Sequence, residues 1–179
     1  MNSLFADEDI PGLDAVDAPE PVGPRKGRAP DLVVILPGVA RAKGRHRTRV
    51  IQPKGGGAAF ATQYPDKETA NYEALLRYGA EQAMKAAGVT MMTGELKVDV
   101  HVYIVPPQSW SQRKRADCLR GLIRPTGKPD VDNYFKLVDS FNGIVWRDDS
   151  SIVDGRCRKF YRDHPAFEVR IWQRRGVSL

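Results

Sequence analysis

The chain lacks the residues that mark several large protein classes. It has only two cysteines, Cys118 and Cys157, and no CxxC or Cys/His cluster, so neither a disulfide framework nor a zinc site is supported. Its three histidines, His46, His101 and His164, are scattered. No run approaches the ~18 consecutive apolar residues of a membrane span, and no basic head followed by an apolar stretch predicts a secretory signal. A soluble cytoplasmic protein is the expectation. Charge is missing in a second, local sense. Residues 1–24 contain no Lys or Arg, and residues 37–65 contain no Asp or Glu.

What is present fits one domain. The chain has 179 residues, 41% hydrophobic and 28% charged, enough apolar content to bury a core. Its net charge of +6 hides an asymmetry. Residues 1–24 hold six acidic side chains, so the remainder carries 28 basic and 16 acidic residues, a net +12. A body with that excess suits a polyanionic partner, nucleic acid first. Residues 1–30, with five prolines and no apolar periodicity, read as a tail that cannot bury enough surface to offset its ordering entropy; the globular domain is expected over 31–179.

Along the chain, Leu32–Leu36 reads as a short strand ended by Pro37-Gly38. The acid-free stretch that follows carries Arg41, Lys43, Arg45, Arg47, Arg49 and Lys54, with a glycine turn at 55–57. Clustered like charges repel, so this arm suits phosphate contact better than packing. Residues 66–88 read as a helix with Tyr72, Leu75, Leu76, Gly79, Ala83 and Ala87 on its apolar face, stopped by Gly88. In Glu95–Val105, Leu96, Val98, Val100, Val102 and Ile104 alternate with Lys97, Asp99, His101 and Tyr103, the pattern of a strand. His101 falls on the polar side, as a surface or hydrogen-bonded histidine. Ser109 or Ser111 caps a short helix to about Leu119, and Arg113, Lys114, Arg115 and Arg120 form a second basic patch beside Trp110. Closing strands are expected at Ile144–Trp146, at about 151–161, and at 166–174.

The chemistry concentrates in Lys128-Pro129-Asp130-Val131-Asp132-Asn133-Tyr134-Phe135-Lys136. Asp130 and Asp132 are two apart, so an extended segment points both carboxylates one way. Held together they repel unless a proton or cation relieves them. Lys136 lies four beyond Asp132, on the same face of a helix starting here, and Asp139 comes a turn later. A hairpin after Ile144-Val145-Trp146 would return Asp148 or Asp149 towards the pair. Hard oxygen donors without soft ones suit Mg²⁺ or Mn²⁺. The plainer alternative makes Asp130 or Asp132 a helix N-cap.

The run from Lys128 to Val153, KPDVDNYFKLVDSFNGIVWRDDSSIV, resembles the RusA family of Holliday-junction resolvases, and the resemblance extends over about residues 31–174, with Pro37-Gly38, Tyr64-Pro65 and Pro106-Pro107-Gln108-Ser109-Trp110 similar to phage-type members. It implies a small single-domain α/β (α+β) fold, a mixed sheet flanked by helices, forming a homodimer. It implies Mg²⁺-dependent paired nicking of four-way DNA junctions, with Mn²⁺ substituting. Asp130, Asp132 and Asp149 match the acidic metal positions and Lys136 the catalytic lysine, while Asp148 and Asp139 match further acidic positions, Asp148 as an added metal ligand. DNA contact is assigned to Arg41, Lys43, Arg45, Arg47, Arg49, Arg113, Lys114, Arg115 and Lys128. One departure is visible. Family members place four steps between the lysine and the helical aspartate, but here Lys136 to Asp139 is three, a shortening that rotates an α-helix by ~100°. Two other readings are a non-catalytic branched-DNA binder on the same scaffold and a restriction-type signature from Asp66, Glu95 and Lys97.

Overall fold

The computed structural model describes residues 28–174 apart from 44–46, 52–57, 59 and 65–66, and at 47–51 and 60–64 it describes the course of the backbone. The tail before Arg28 and Arg45 of the basic arm therefore lie outside the described residues. Residues 28–30, expected to belong to the tail, are held to the body. Arg28 donates from Nη1 to the carbonyl of Gln173 (3.0 Å), and its own carbonyl accepts from Trp172 Nε1 (2.8 Å).

The elements are β1 (Leu32–Pro37), β2 (Arg47–Ile51), β3 (Phe60–Tyr64), α1 (Lys67–Ala87), β4 (Leu96–Ile104), α2 (Gln112–Leu119), α3 (Val131–Phe135), β5 (Ile152–Tyr161) and β6 (Ala166–Gln173). Four of the strands form one mixed sheet in the order β1-β6-β4-β5, while β2 and β3 make a separate antiparallel hairpin. β4 and β5 run parallel; the other pairings are antiparallel. This is the small mixed-sheet α+β domain that the resemblance implied.

β4 is central because its alternation is cleanest. Leu96, Val98, Val100 and Val102 are all 0% exposed. Each such burial contributes on the order of 1.5–3 kcal/mol, and a one-residue slip would turn the whole row to the other face. Against this row pack Phe167, Val169 and Ile171 of β6, Leu32 and Val34 of β1, and Tyr72, Leu76 and Ala80 of α1. Leu75, placed by periodicity on the apolar face of α1, is instead 54% exposed. The helix turns Leu76 inward, and one residue is ~100° of rotation.

On the other side of the sheet the polar residues of β4 point away from the core and bury one another. Asp99 pairs with Arg158, His101 Nδ1 lies 3.2 Å from Tyr103 Oη, and Tyr103 donates to Glu168 (2.9 Å), itself paired with Arg170. His101 is thus a buried, hydrogen-bonded histidine.

The expected strand at Ile144–Trp146 is a turn. Asn142 Oδ1 accepts from Trp146 Nε1 (2.6 Å), Gly143 N–H bonds the Trp146 carbonyl (2.7 Å), and Gly143 adopts φ +76°. Trp146 is fully buried against Phe141. Three apolar residues after an Asn-Gly step serve packing here, with isolated bridges from Trp146 to Met92 and to Asn142 in place of a ladder.

Candidate active site

A parallel strand pair needs a long crossover, and the one from β4 to β5 carries the acidic motif. Its last part is fixed from two sides. Lys159 of β5 donates to the carbonyls of Gly127 (2.6 Å) and Pro129 (3.0 Å), pinning the segment that leads into Asp130. Next, the Phe135 ring lies directly on Gly155 of β5. A Cβ built on Gly155 would stand 2.6 Å from Phe135 Cζ, so only a glycine admits the ring. Tyr134, Leu137, Val138 and Phe141 then fill the core.

α3 begins at Val131, so only Asp130 is extended (φ −76°, ψ 158°). Asp132 lies within the first helical turn, and the two-residue alternation read from the sequence does not apply to this pair. Asp130 occupies the N-cap position but makes no side-chain cap bond, which leaves its carboxylate uncommitted. Lys136 donates to Asp132 Oδ2 (3.1 Å), both side chains being exposed. This hydrogen bond, the largest influence, holds the Asp132 carboxyl below the usual carboxylate range.

At Lys136 the winding tightens to a 3₁₀ helix, Lys136–Phe141. With three residues per turn, positions i and i+3 eclipse. The short lysine-to-aspartate step thereby leaves Lys136 and Asp139 on one side. Both line a cleft of about 460 Å³ with Phe135, Asp149, Ile152 and Gly155. Asp139 is also held from the arm side. Lys43 donates to its Oδ2 (3.1 Å), lies 3.5 Å from Glu73, and bonds the Asn133 carbonyl through its own N–H (2.9 Å). Burial pulls Lys43 down, but these carboxylates outweigh it and its pKa is raised.

Asp149 reaches the cleft through a tight turn where the sequence suggested a hairpin. Asp148 Oδ1 accepts from the Ser150 N–H (3.0 Å), and Asp149–Ser151 forms a 3₁₀ turn running into β5. The Ser150 bonds keep the Asp148 carboxyl below its usual range. Among the described residues no three His, Cys, Asp or Glu side chains converge as a ready metal cage. The carboxylates that line the cleft are Asp139 and Asp149; Asp132 is bonded to the lining residue Lys136, and Asp130 and Asp148 are not among the lining residues. These are hard oxygens, and Mg²⁺ typically takes one or two carboxylates together with water and substrate phosphate. Cys157 is no competing ligand or nucleophile. Burial first, then Asp99 and Asp132, push its thiol up to about 12.

The sequence matches the family model of the endodeoxyribonuclease RusA over residues 37–172. The chain belongs to the RusA endodeoxyribonuclease family. It is also similar to YqaN, an uncharacterized protein of Bacillus subtilis (strain 168), at 40% identity over 108 residues, which is 59% of this chain and 76% of that protein.

In this RusA-family nuclease the basic residues expected to meet DNA are spread unevenly. Arg41 pairs with Glu68 of α1, and Lys43 is engaged at Asp139. Arg47 and Arg49 stand on β2 opposite Tyr64 and Thr62. On α2, capped by Ser111 through the Lys114 N–H, Arg113 is exposed and Arg115 half-buried. Lys114 lies 3.6 Å over the Trp110 ring. Lys128 is exposed next to the motif. Of the restriction-type set, Asp66 lies outside the described residues, Glu95 pairs with Arg174, and Lys97 lies over Trp172 on the outer side of the sheet. Sequence reading missed Gly155, Lys159 and Phe135. A glycine inside a strand pattern was the available signal, since such a glycine marks close approach of another group.

Lys136 touches neither the core nor a structural carbonyl, so its removal tests chemistry with little risk to the fold. Lys136→Ala is expected to slow single-turnover DNA cleavage by about 10²–10³-fold, the range for deleting one preorganised electrostatic donor, with DNA affinity within a few-fold. A loss confined to affinity would move Lys136 from the site to the grip.

Proposed function

We propose that this RusA-family nuclease resolves four-way DNA junctions by paired symmetric nicks, acting as a homodimer in the cytoplasm. The observation that carries the reading is the cleft itself. Lys136 lines it with Asp139 and Asp149 and bonds the exposed Asp132, which lies outside the lining, at 3.1 Å, on a body of net charge +12. A basic binding protein gains nothing from clustered aspartates near phosphate unless a cation bridges them.

Asp130, Asp132 and Asp149 are the side chains that would hold a divalent ion, which when bound activates water and neutralises charge on the phosphodiester. Lys136, with three donors on a flexible stem, releases Asp132 and turns to the phosphate oxygens, where charge grows in the transition state. Asp148 keeps Asp149 in place by closing its turn. Lys43 and Lys159 hold the motif segment from opposite sides, so that binding energy is not lost to motion of the catalytic groups. Two nicks on strands of like polarity follow from two copies of one site related by a two-fold axis.

The deciding measurement is cleavage of a synthetic four-way junction in Mg²⁺ beside a linear duplex of equal length. Symmetric nicks in the junction, absent in EDTA and absent from the duplex, are expected. Tight junction binding without nicking in Mg²⁺ or Mn²⁺ would sink the catalytic reading and leave a binder; equal cutting of both substrates would leave a nuclease without junction selectivity.

A further inference from the structure

Away from the cleft, on the outer side of the sheet, arginines gather on aromatic rings. Arg124, in the segment joining α2 to α3, places its guanidinium 4.0 Å from the centre of the Phe160 ring, and Arg158 lies 5.8 Å from the same ring. Arg162 lies 4.3 Å over Tyr103, whose ring is 5.9 Å from Phe160. The three arginines and two rings form one contiguous cluster. Arg158 has Asp99 as its counter-charge. Arg124 and Arg162 form no ion pair among the described residues, and Asp163 beside Arg162 accepts instead from the His164 N–H (3.0 Å). Both arginines are exposed.

Holding cations together without a carboxylate costs Coulomb energy that an arriving anion repays. Burial, then the nearby Arg158, already lower the Arg124 pKa. A guanidinium stacked on a ring keeps its donor fork free for bidentate contact with phosphate. The cluster also has a neighbour of the same kind. Tyr161, between Phe160 and Arg162, turns to the other face of β5 and meets Trp110 (5.9 Å), the ring beneath Lys114. Because β5 is the edge of the sheet, positive charge wraps from α2 around the C-terminal end of that strand onto the outer face.

We propose that Arg124 and Arg162, presented by Phe160 and Tyr103, bind the phosphate backbone of a DNA arm as it leaves the cleft around the end of β5. The inference rests on the DNA-cleaving function proposed above and adds the path of the substrate.

The test is the binding of a labelled four-way junction in EDTA, across a salt series, by wild type and Arg124→Ala/Arg162→Ala. Each lost phosphate contact flattens the slope of log affinity against log salt by about 0.9, so two flatten it by about 1.8. Between 50 and 200 mM salt the variant then loses roughly twelvefold less affinity than wild type. Arg77→Ala/Lys85→Ala on α1, the same change in net charge at exposed positions, is expected to keep the wild-type slope. Arg124→Lys/Arg162→Lys retains the charges and is expected to recover most of the slope. An unchanged slope in the alanine variant, or an equal change in the α1 control, overturns the proposal. So does dissociation of a wild-type dimer in sedimentation by the alanine variant, which would assign this face to a second subunit. Failure of the wild-type protein to bind the junction at all would remove the junction function itself, and this surface with it.

Discussion

Asp132→Asn is expected to lower junction cleavage by about a thousandfold or more while leaving junction binding unchanged or tighter. Asparagine matches aspartate in shape and still accepts the hydrogen bond from Lys136, so the 3.1 Å contact has no steric reason to break. The side chain is exposed and supports no core residue. What disappears is one negative charge. A carboxylate ligand to a divalent ion underwrites several kcal/mol of transition-state charge stabilisation, and each 1.36 kcal/mol is tenfold in rate. The same charge repels substrate phosphate in the absence of metal, hence the unchanged or tighter binding. Single-turnover rates and junction affinity, measured on the same preparation, separate the two effects. Joint loss of binding and thermal stability would make Asp132 a structural residue; cleavage within tenfold of wild type would sink the metal-ligand role.

The second large effect is expected far from any charge. Gly155→Ala introduces a methyl group 2.6 Å from Phe135 Cζ, well inside contact distance, with a ring that cannot bend away. Overpacking of this kind costs typically 1–3 kcal/mol, or about 2–4 °C in melting temperature per kcal/mol at this chain length. Activity is expected to fall further than stability accounts for, because the displaced ring belongs to the helix that carries Asp132 and ends at Lys136. Phe135→Leu, which gives up the ring atoms nearest Gly155, is expected to restore part of the lost activity in the double variant. Thermal unfolding and single-turnover cleavage of the two single variants and the double form a cycle. An alanine variant with wild-type melting and cleavage would mean that the helix can lift off β5 at no cost.

Much of this was legible in the residue order, and the failures have identifiable causes. The alternation of Leu96 to Ile104 was strong enough to set a central strand, and Gly88 (φ +63°) ends α1 where a residue free to take positive φ was needed. The acidic motif with Lys136 stood out by spacing, and Asp149 was singled out by the resemblance to RusA; the family match over residues 37–172 bears out the family. Short-range order was harder. Ile144–Trp146 looks like a strand until Trp146 is seen buried under the Asn142 turn. The rotation expected after Lys136 is absorbed by a change from α to 3₁₀ winding, which three-residue spacing alone does not announce. Contacts between distant segments left almost no trace. Nothing near Lys43 in the chain points to Asp139, 96 residues away, and nothing near Lys159 points to the carbonyls of Gly127 and Pro129. Such pairings arise from the packing of α1 and β5 around the motif, a long-range property that local pattern does not encode.

The strand order also has a consequence for how the protein is made. β1 hydrogen-bonds in the sheet to β6, with Leu32 opposite Ile171, so the first strand of the sheet waits for the last. Chain synthesis proceeds from the N-terminus, and closing so large a loop costs entropy before any contact rewards it. The crossover with Asp130, Asp132, Lys136 and Asp149 emerges from the ribosome before Phe167, Val169 and Ile171, which complete the apolar floor beneath it. A nascent chain therefore carries every side chain of the proposed site while lacking the platform that aligns them. If these side chains do the cutting, competence arrives only with the final strand, as one late step in maturation.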